Sequence, residues 1–124
     1  MKHINDLLRD YQTLPEYSGI TLTNANQVSL FGDRPINVAA TRGAIEEMAV
    51  LLAHGADLNC PGEHGYTALH NAVEQGKSEA VAWLLAHGAD RSIRNQAGEC
   101  PSDLAEILGE DKIATLLARV GRGE

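Results

Sequence analysis

The strongest constraint on this chain is a sequence repeat of fixed period. Gly32, Gly65 and Gly98 are evenly spaced, and the segment Leu-Ala-His-Gly-Ala-Asp at 52–57 returns unchanged, one period later, at 85–90. A fixed period of about 33 residues is typical of a solenoid, in which each unit buries its apolar side only against its neighbours. A stack of short units offers an extended surface, and the period itself demands no catalytic pocket.

Each period carries the start and stop signals of two short helices. In the middle copy, Thr67 predicts the start of a helix over about 68–75, and Gly76 predicts its end. A second helix over about 78–87 is expected to end before Gly88. The other two copies give helices at about 35–42, 45–54, 101–108 and 111–120. Because such helices are too short to be stable alone, stacking must stabilise them.

The N-terminal part of the chain departs from the repeat. Apolar residues at helical spacing predict a helix over 4–14 that ends before Pro15, with Asn5 or Asp6 accepting the free amides at its start. Residues 18–34 indicate an extended stretch and a turn. We therefore expect a single domain made of an N-terminal cap helix and extended segment (1–25), a first repeat (26–61), a second repeat (62–94) and a third repeat that doubles as the C-terminal cap (95–120).

The middle copy resembles the ankyrin repeat. The residues that carry the resemblance are Gly65-x-Thr67-Ala68-Leu69-His70-x-Ala72, then Gly76, Val81, Leu84-Leu85 and Gly88-Ala89-Asp90. The resemblance covers about residues 26–120 and implies an all-α ankyrin-repeat solenoid of three helix-turn-helix units with β-turn fingers and an N-terminal capping helix. It also implies a concave surface of fingers and inner helices that binds other proteins, and no intrinsic catalytic activity.

The three copies differ where the first helix of each unit begins. The resemblance implies that Thr67 caps this helix and that His70 bonds within the turn and to the neighbouring unit. In the first copy, Asn37 can replace part of the His bonding, whereas Arg34 lacks the Thr hydroxyl. In the third copy, Asp103 suits the positive end of the helix dipole. We therefore expect the near-consensus middle unit to anchor two weaker ones.

Composition excludes several classes of function. A net charge of −7 argues against non-specific binding to nucleic acid or anionic membranes, which needs clustered Lys and Arg. No signal-peptide pattern or long apolar run is visible, which predicts a cytoplasmic protein with reduced Cys60 and Cys100. His54 and His87 precede helix-ending glycines and suit the helix dipole better than a metal. We expect no metal, no cofactor and no enzymatic activity.

Function is expected at positions that the scaffold does not require. These are finger residues beside each turn glycine and polar positions near the end of each inner helix, which the resemblance places on the concave face. Phe31 and Tyr66 are candidate aromatic anchors, although Phe31 alternatively covers the N-terminal helix. The predicted partner-binding residues are Leu30, Phe31, Asp33, Thr41, Arg42, Glu63, His64, Tyr66, Asn71, Glu74, Gln75, Gln96 and Glu99.

The predicted function is protein–protein recognition by a monomer that sequesters or inhibits one partner. The chain is similar to small bacterial immunity proteins, so a basic toxin or enzyme is the expected partner, with Glu63, Glu74 and Glu99 steering its basic surface. The alternative is an assembly adaptor or self-associating structural subunit. A concentration-dependent oligomer would favour that alternative.

Overall fold

The computed structural model describes residues 3–18, 22, 24–30 and 32–120. Within these residues the chain forms seven α-helices and no β-strand. The helices are α1 (Ile4–Gln12), α2 (Pro35–Arg42), α3 (Ile45–Ala53), α4 (Ala68–Glu74), α5 (Ser78–Ala86), α6 (Pro101–Leu108) and α7 (Asp111–Val120). Single 3-10 turns occupy Pro15–Tyr17 and Glu63–Gly65. The predicted all-α repeat fold is confirmed, and each predicted helix forms close to its expected bounds.

The helices form an inner row and an outer row. Helices α2, α4 and α6 pack against one another in sequence order, and each packs against the outer helix that follows it, α3, α5 or α7. Helix α1 packs against α3. The core therefore runs along the whole stack, from Leu7 on α1 through Leu51, Leu69 and Leu84 to Leu117 on α7, all with no exposed surface. Each unit buries its apolar side against its neighbours, as the period predicts.

The N-terminal cap begins differently from the sequence-based expectation. The Nδ1 atom of His3 accepts a hydrogen bond from the Asn5 N–H at 3.2 Å, so the expected capping by Asn5 or Asp6 is wrong. A capping residue precedes the helix in extended conformation, which His3 adopts (φ −74°, ψ 146°), whereas Asn5 and Asp6 already lie inside α1. The helix ends at Gln12, because the residue before Pro15 is extended.

The fingers repeat with the period of the sequence. At the base of each finger a backbone N–H donates to a carbonyl four residues later, from Ser29 to Asp33 at 2.7 Å, from Gly62 to Tyr66 at 2.7 Å, and from Asn95 to Glu99 at 2.9 Å. The turn glycine has positive φ in all three, 99° at Gly32, 76° at Gly65 and 82° at Gly98. Only glycine adopts such angles without strain, which explains why these three positions carry the period.

A pair of asparagines joins the loops that follow the outer helices. The Nδ2 atom of Asn26 donates to the Gly55 carbonyl at 2.8 Å, and its Oδ1 accepts from the Asp57 N–H at 3.0 Å. Asn59 makes the equivalent bonds to Gly88 and Asp90 at 3.5 and 2.7 Å. Asn26 and Asn59 are also separated by one period, so each asparagine ties its own loop to the corresponding loop one period later.

Candidate partner-binding cleft

His70 connects the second unit to the third. The Thr67 N–H donates to His70 Nδ1 at 3.1 Å, and the His70 N–H donates to Thr67 Oγ1 at 3.4 Å. Because Nδ1 accepts, Nε2 carries the proton and donates to the Glu99 carbonyl at 2.8 Å. Burial lowers the pKa of His70, which keeps the ring neutral. The roles that the sequence assigned to Thr67 and His70 are confirmed.

Asn37 makes the two equivalent side-chain bonds in the first unit. Its Oδ1 accepts from the Arg34 N–H at 2.9 Å, and its Nδ2 donates to the Tyr66 carbonyl at 3.2 Å. The same Nδ2 lies 2.8 Å from Asn71 Oδ1 on the next inner helix. The expected replacement of His by Asn37 is therefore confirmed. Asn37 binds the carbonyl of Tyr66, and His70 binds the carbonyl of Glu99. Tyr66 and Glu99 are both finger residues.

In the third unit, the carboxylate of Asp103 caps the start of helix α6. Asp103 Oδ2 accepts from the Cys100 N–H at 3.2 Å and lies 3.2 Å from Arg94 Nη1. The hydrogen bond from the Cys100 backbone is the main cause that holds the pKa of Asp103 below its ordinary value. A carboxylate that accepts an orphan amide at a helix start is stabilising, as the sequence predicted for this residue.

A cleft of about 340 Å³ lies between the second and third fingers and the inner helix α4, with Asp33 of the first finger at its edge. Its lining residues are Asp33, Glu63, His64, Tyr66, Asn71, Glu74, Asn95, Gln96, Ala97 and Glu99. Four of these are carboxylates, and none is Lys or Arg. The cleft therefore brings together eight of the residues predicted to bind a partner, and the carboxylates among them give it charge of one sign.

The carboxylates of the cleft are held by few partners. Asp33 Oδ1 accepts from the Glu63 N–H at 2.9 Å, and burial raises the pKa of this carboxyl. Glu63 Oε2 lies 3.5 Å from His64 Nε2. The Tyr66 hydroxyl donates to Glu74 Oε2 at 3.2 Å, and burial and Glu74 together raise the pKa of Tyr66. The carboxylates keep free lone pairs for a donor from outside.

The second finger places an exposed imidazole at the mouth of the cleft. His64 has φ 60° and ψ 18°, and it is the one non-glycine residue with positive φ in the described part of the chain. With Gly65 it forms the two central residues of a tight turn closed from Tyr66 N–H to Glu63 O at 3.1 Å. Its side chain is 73% exposed, while its carbonyl accepts from the Gln96 N–H at 3.0 Å. The turn thereby fixes the second finger beside the third.

Thr41 and Arg42 lie outside this cleft. They line a second hollow of about 270 Å³, which shares Asp33 with the first; the other lining residues are Leu14, Glu16 and Val38. Arg42 is partly engaged by the scaffold, because its guanidinium carbon lies 5.0 Å from the centre of the Tyr11 ring and its Nη1 lies 3.7 Å from Glu47. Since Asp33 belongs to both hollows, the two are adjacent.

Three of the predicted contact residues, Leu30, Gln75 and Asn71, are placed differently from the others. Leu30 is 59% exposed and Gln75 is also exposed, but neither lines the cleft. Asn71 lines it but is only 9% exposed, and its Oδ1 accepts from Asn37. Phe31 falls outside the described residues, so its pairing with Tyr66 stays a prediction.

Asn95 was not among the predicted contact residues, although it lines the cleft. It is 6% exposed, and its Oδ1 accepts from the N–H groups of Ala97 and Glu99 at 3.0 and 2.9 Å. Its Nδ2 donates to Glu99 Oε1 at 3.0 Å, which orients that carboxylate. Its position in the repeat could have identified it, because Asn95 lies one period after Gly62, at the base of a finger.

The remaining histidines show helix-end contacts. His54 Nδ1 lies 3.0 Å from the Val50 carbonyl, and His87 Nδ1 lies 2.8 Å from the Trp83 carbonyl. The half-buried Trp83 ring stacks on His87 with ring centres 4.0 Å apart. Within the described ranges, no group of three or more His, Cys, Asp and Glu could hold a metal ion. No helix among those residues has the length and apolarity to cross a membrane.

Comparison with protein families agrees with this geometry. A family model of ankyrin repeats in three copies matches residues 7–95. The chain belongs to the ankyrin-repeat family. The match begins within α1, earlier than the resemblance over 26–120 suggested, and ends before α6. No curated protein sequence matches the chain. Ankyrin repeats typically bind protein partners and are generally non-enzymatic, so this ankyrin protein is a protein–protein interaction module.

Proposed function

We propose that this ankyrin protein binds a basic partner protein in the cleft and along the neighbouring fingers, and thereby sequesters it. The observation that carries the proposal is the sign of the lining charge. Asp33, Glu63, Glu74 and Glu99 face one cavity that has no Lys or Arg in its lining. A cleft lined by one sign of charge focuses the field, attracts the opposite charge and accelerates association.

Glu63 and Glu74 are free for this role because other atoms hold the scaffold. The fingers close through backbone groups, and the units join through Asn37 and His70. Glu63 and Glu74 are both exposed. Partner recognition can therefore use these side chains without disturbing the stack. Neutralisation of a toxin is a narrower version of the proposal and stays a prediction.

Matched double variants test the proposal. Glu63→Gln with Glu74→Gln removes two charges from the cleft, and Glu46→Gln with Glu79→Gln removes two exposed charges from the outer helices α3 and α5. A partner is first isolated by crosslinking to the wild-type chain and is then purified. Surface plasmon resonance follows its association over a range of salt concentrations.

The cleft variant is expected to associate several-fold more slowly and to show a flatter salt dependence, because exposed charges act mainly on the association rate. The outer-helix variant should associate like the wild type. Equal association rates for the two variants would contradict the proposal.

Self-association, the alternative role, is favoured by the exposed Val28 and Leu30, which are 42% and 59% accessible. Light scattering over a wide range of protein concentration separates the two roles.

A further inference from the structure

Equivalent positions near the ends of the inner helices change character along the stack. Counting by the period, the matching pairs are Thr41 and Arg42 on α2, Glu74 and Gln75 at the end of α4, and Ile107 and Leu108 on α6. Ile107 is 65% exposed and Leu108 is 46% exposed. The third unit therefore presents two large apolar side chains at positions where the second unit presents polar ones.

The apolar pair lies next to the acidic cleft. Glu74 lines the cleft, and α4 packs directly against α6. Packed helices have axes about 8–10 Å apart, so Ile107 follows Glu74 at roughly that distance along the inner row. Neighbouring exposed apolar side chains that form a continuous patch with a polar rim mark a protein-binding surface, whereas isolated ones do not. Ile107 and Leu108 of the third unit thus add an exposed apolar surface beside the acidic cleft.

The groups in the cleft fit a planar cation better than a spherical one. Glu63, Glu74 and Glu99 supply separated acceptors, and Tyr66 brings an aromatic side chain to the lining. A guanidinium group has five donors in a fixed plane and stacks on aromatic rings, whereas an ammonium group is compact and strongly hydrated. The lining therefore favours arginine over lysine.

We propose that the partner inserts an arginine side chain into the cleft and lays a large apolar side chain on Ile107 and Leu108. This inference rests on the proposed function and names the chemistry of the partner at the same site. An extended segment rises about 3.3 Å per residue, so a separation near 10 Å corresponds to about three residues. The partner segment then carries an arginine and an apolar residue about three positions apart.

Selection of short random peptides displayed on phage, with the full chain as bait, tests the inference. Enriched peptides should contain arginine and an apolar residue at about the stated spacing. A synthetic peptide of the most enriched sequence should bind the Glu46→Gln/Glu79→Gln control like the wild type. It should bind Glu63→Gln/Glu74→Gln and Ile107→Ser/Leu108→Ser at least about tenfold more weakly, which corresponds to about 1.4 kcal/mol for each variant.

Changes in the peptide sharpen the test. Replacing its arginine by lysine should weaken binding to the wild type several-fold, and replacing it by glutamine should weaken binding at least about as much as the cleft variant does. Because all substituted protein residues are exposed, each variant should keep the thermal unfolding midpoint of the wild type. That measurement separates lost contacts from lost structure.

Three results would overturn the inference. The first is a selection that enriches no peptide with arginine, including one that enriches nothing. The second is unchanged affinity in either the cleft variant or the Ile107→Ser/Leu108→Ser variant. The third is an oligomer in sedimentation that this apolar variant converts to a monomer, since the pair would then contact a second copy. Peptide-induced NMR shifts confined to α3 and α5 would also contradict the proposed function, whereas shifts in the cleft from peptides without arginine would leave it standing.

Discussion

Replacing His70 tests whether one side chain connects the second and third units. His70→Ala removes the acceptor for the Thr67 N–H and the donor to the Glu99 carbonyl. His70 is fully buried. Each lost hydrogen bond is worth about 0.5–1.5 kcal/mol, and a buried group left unpaired costs about 1–3 kcal/mol. We expect His70→Ala to lower the free energy of unfolding by about 2–4 kcal/mol.

His70→Asn should cost much less stability, because the first unit already has an asparagine, Asn37, at the equivalent position. Asn37 accepts from the N–H of Arg34 and donates to the Tyr66 carbonyl, as His70 does with the residues one period later. An asparagine at position 70 can therefore satisfy the same two backbone groups. We expect a loss of about 1 kcal/mol, from packing where the ring was larger.

Histidine and asparagine at position 70 should differ in how their contribution to stability depends on pH. Burial lowers the pKa of His70 in the folded chain, and the Thr67 N–H that points at Nδ1 opposes a proton there. In the unfolded chain a histidine has a pKa of about 6.5. Above that pH both states are neutral and the stabilisation is complete. As the pH falls below about 6.5, the unfolded state takes up its proton first, and the wild type loses up to about 1.4 kcal/mol per pH unit until the folded pKa is reached.

Urea unfolding of the wild type and His70→Asn between about pH 7.5 and 5.5 measures this difference. Glu16 and Asp33, whose carboxyl pKa values burial raises, are present in both proteins and cancel in the comparison. The stability advantage of the wild type should shrink as the pH falls. An advantage that stays constant across this range would refute the reasoning, as would a His70→Ala variant as stable as the wild type.

Three further substitutions test other parts of the stack by chemical denaturation. Gly65→Ala should cost about 2 kcal/mol or more, because residue 65 has φ 76° and a Cβ there would lie 2.8 Å from the Gln96 nitrogen; unchanged stability would contradict the finger geometry. Leu84→Ala should cost about 2–5 kcal/mol, since the side chain has no exposed surface, and a smaller loss would mean that the core collapses around it. Tyr11→Phe should cost about 1 kcal/mol by removing the hydroxyl that donates to Glu47 at 2.5 Å, and a neutral effect would show that this bond does not hold α1 on the stack.

The fold was predictable because its signals recur. A turn glycine needs positive φ in every finger, so Gly32, Gly65 and Gly98 carry the period whatever their neighbours are. The start of α1 was not predictable in the same way, because only one copy of it exists. Several polar residues near that start could accept an amide, and the choice of His3 depends on where the extended backbone ends.

The candidate cleft was predictable in outline but not in the roles of its residues. Finger and inner-helix positions recur, so the period indicates which residues share a face. Whether a polar side chain on that face is open or bonded depends on the neighbouring unit. Asn71 accepts from Asn37, and Asp33 Oδ1 occupies space that a side chain at Gly62 would need. Such relations join residues about one period apart, and a single copy does not reveal them.

The scaffold and the cleft meet at the finger carbonyls. Asn37 holds the carbonyl of Tyr66 and His70 holds the carbonyl of Glu99, while the side chains of both finger residues line the cleft. The backbone thus serves stability and the side chains remain available for recognition. Because the bonds that hold the fingers do not depend on the identity of these side chains, a stack of this kind can change its partner without changing its fold. Substitution of Asn37 or His70 by alanine, in contrast, should displace a finger and so weaken stability and binding together.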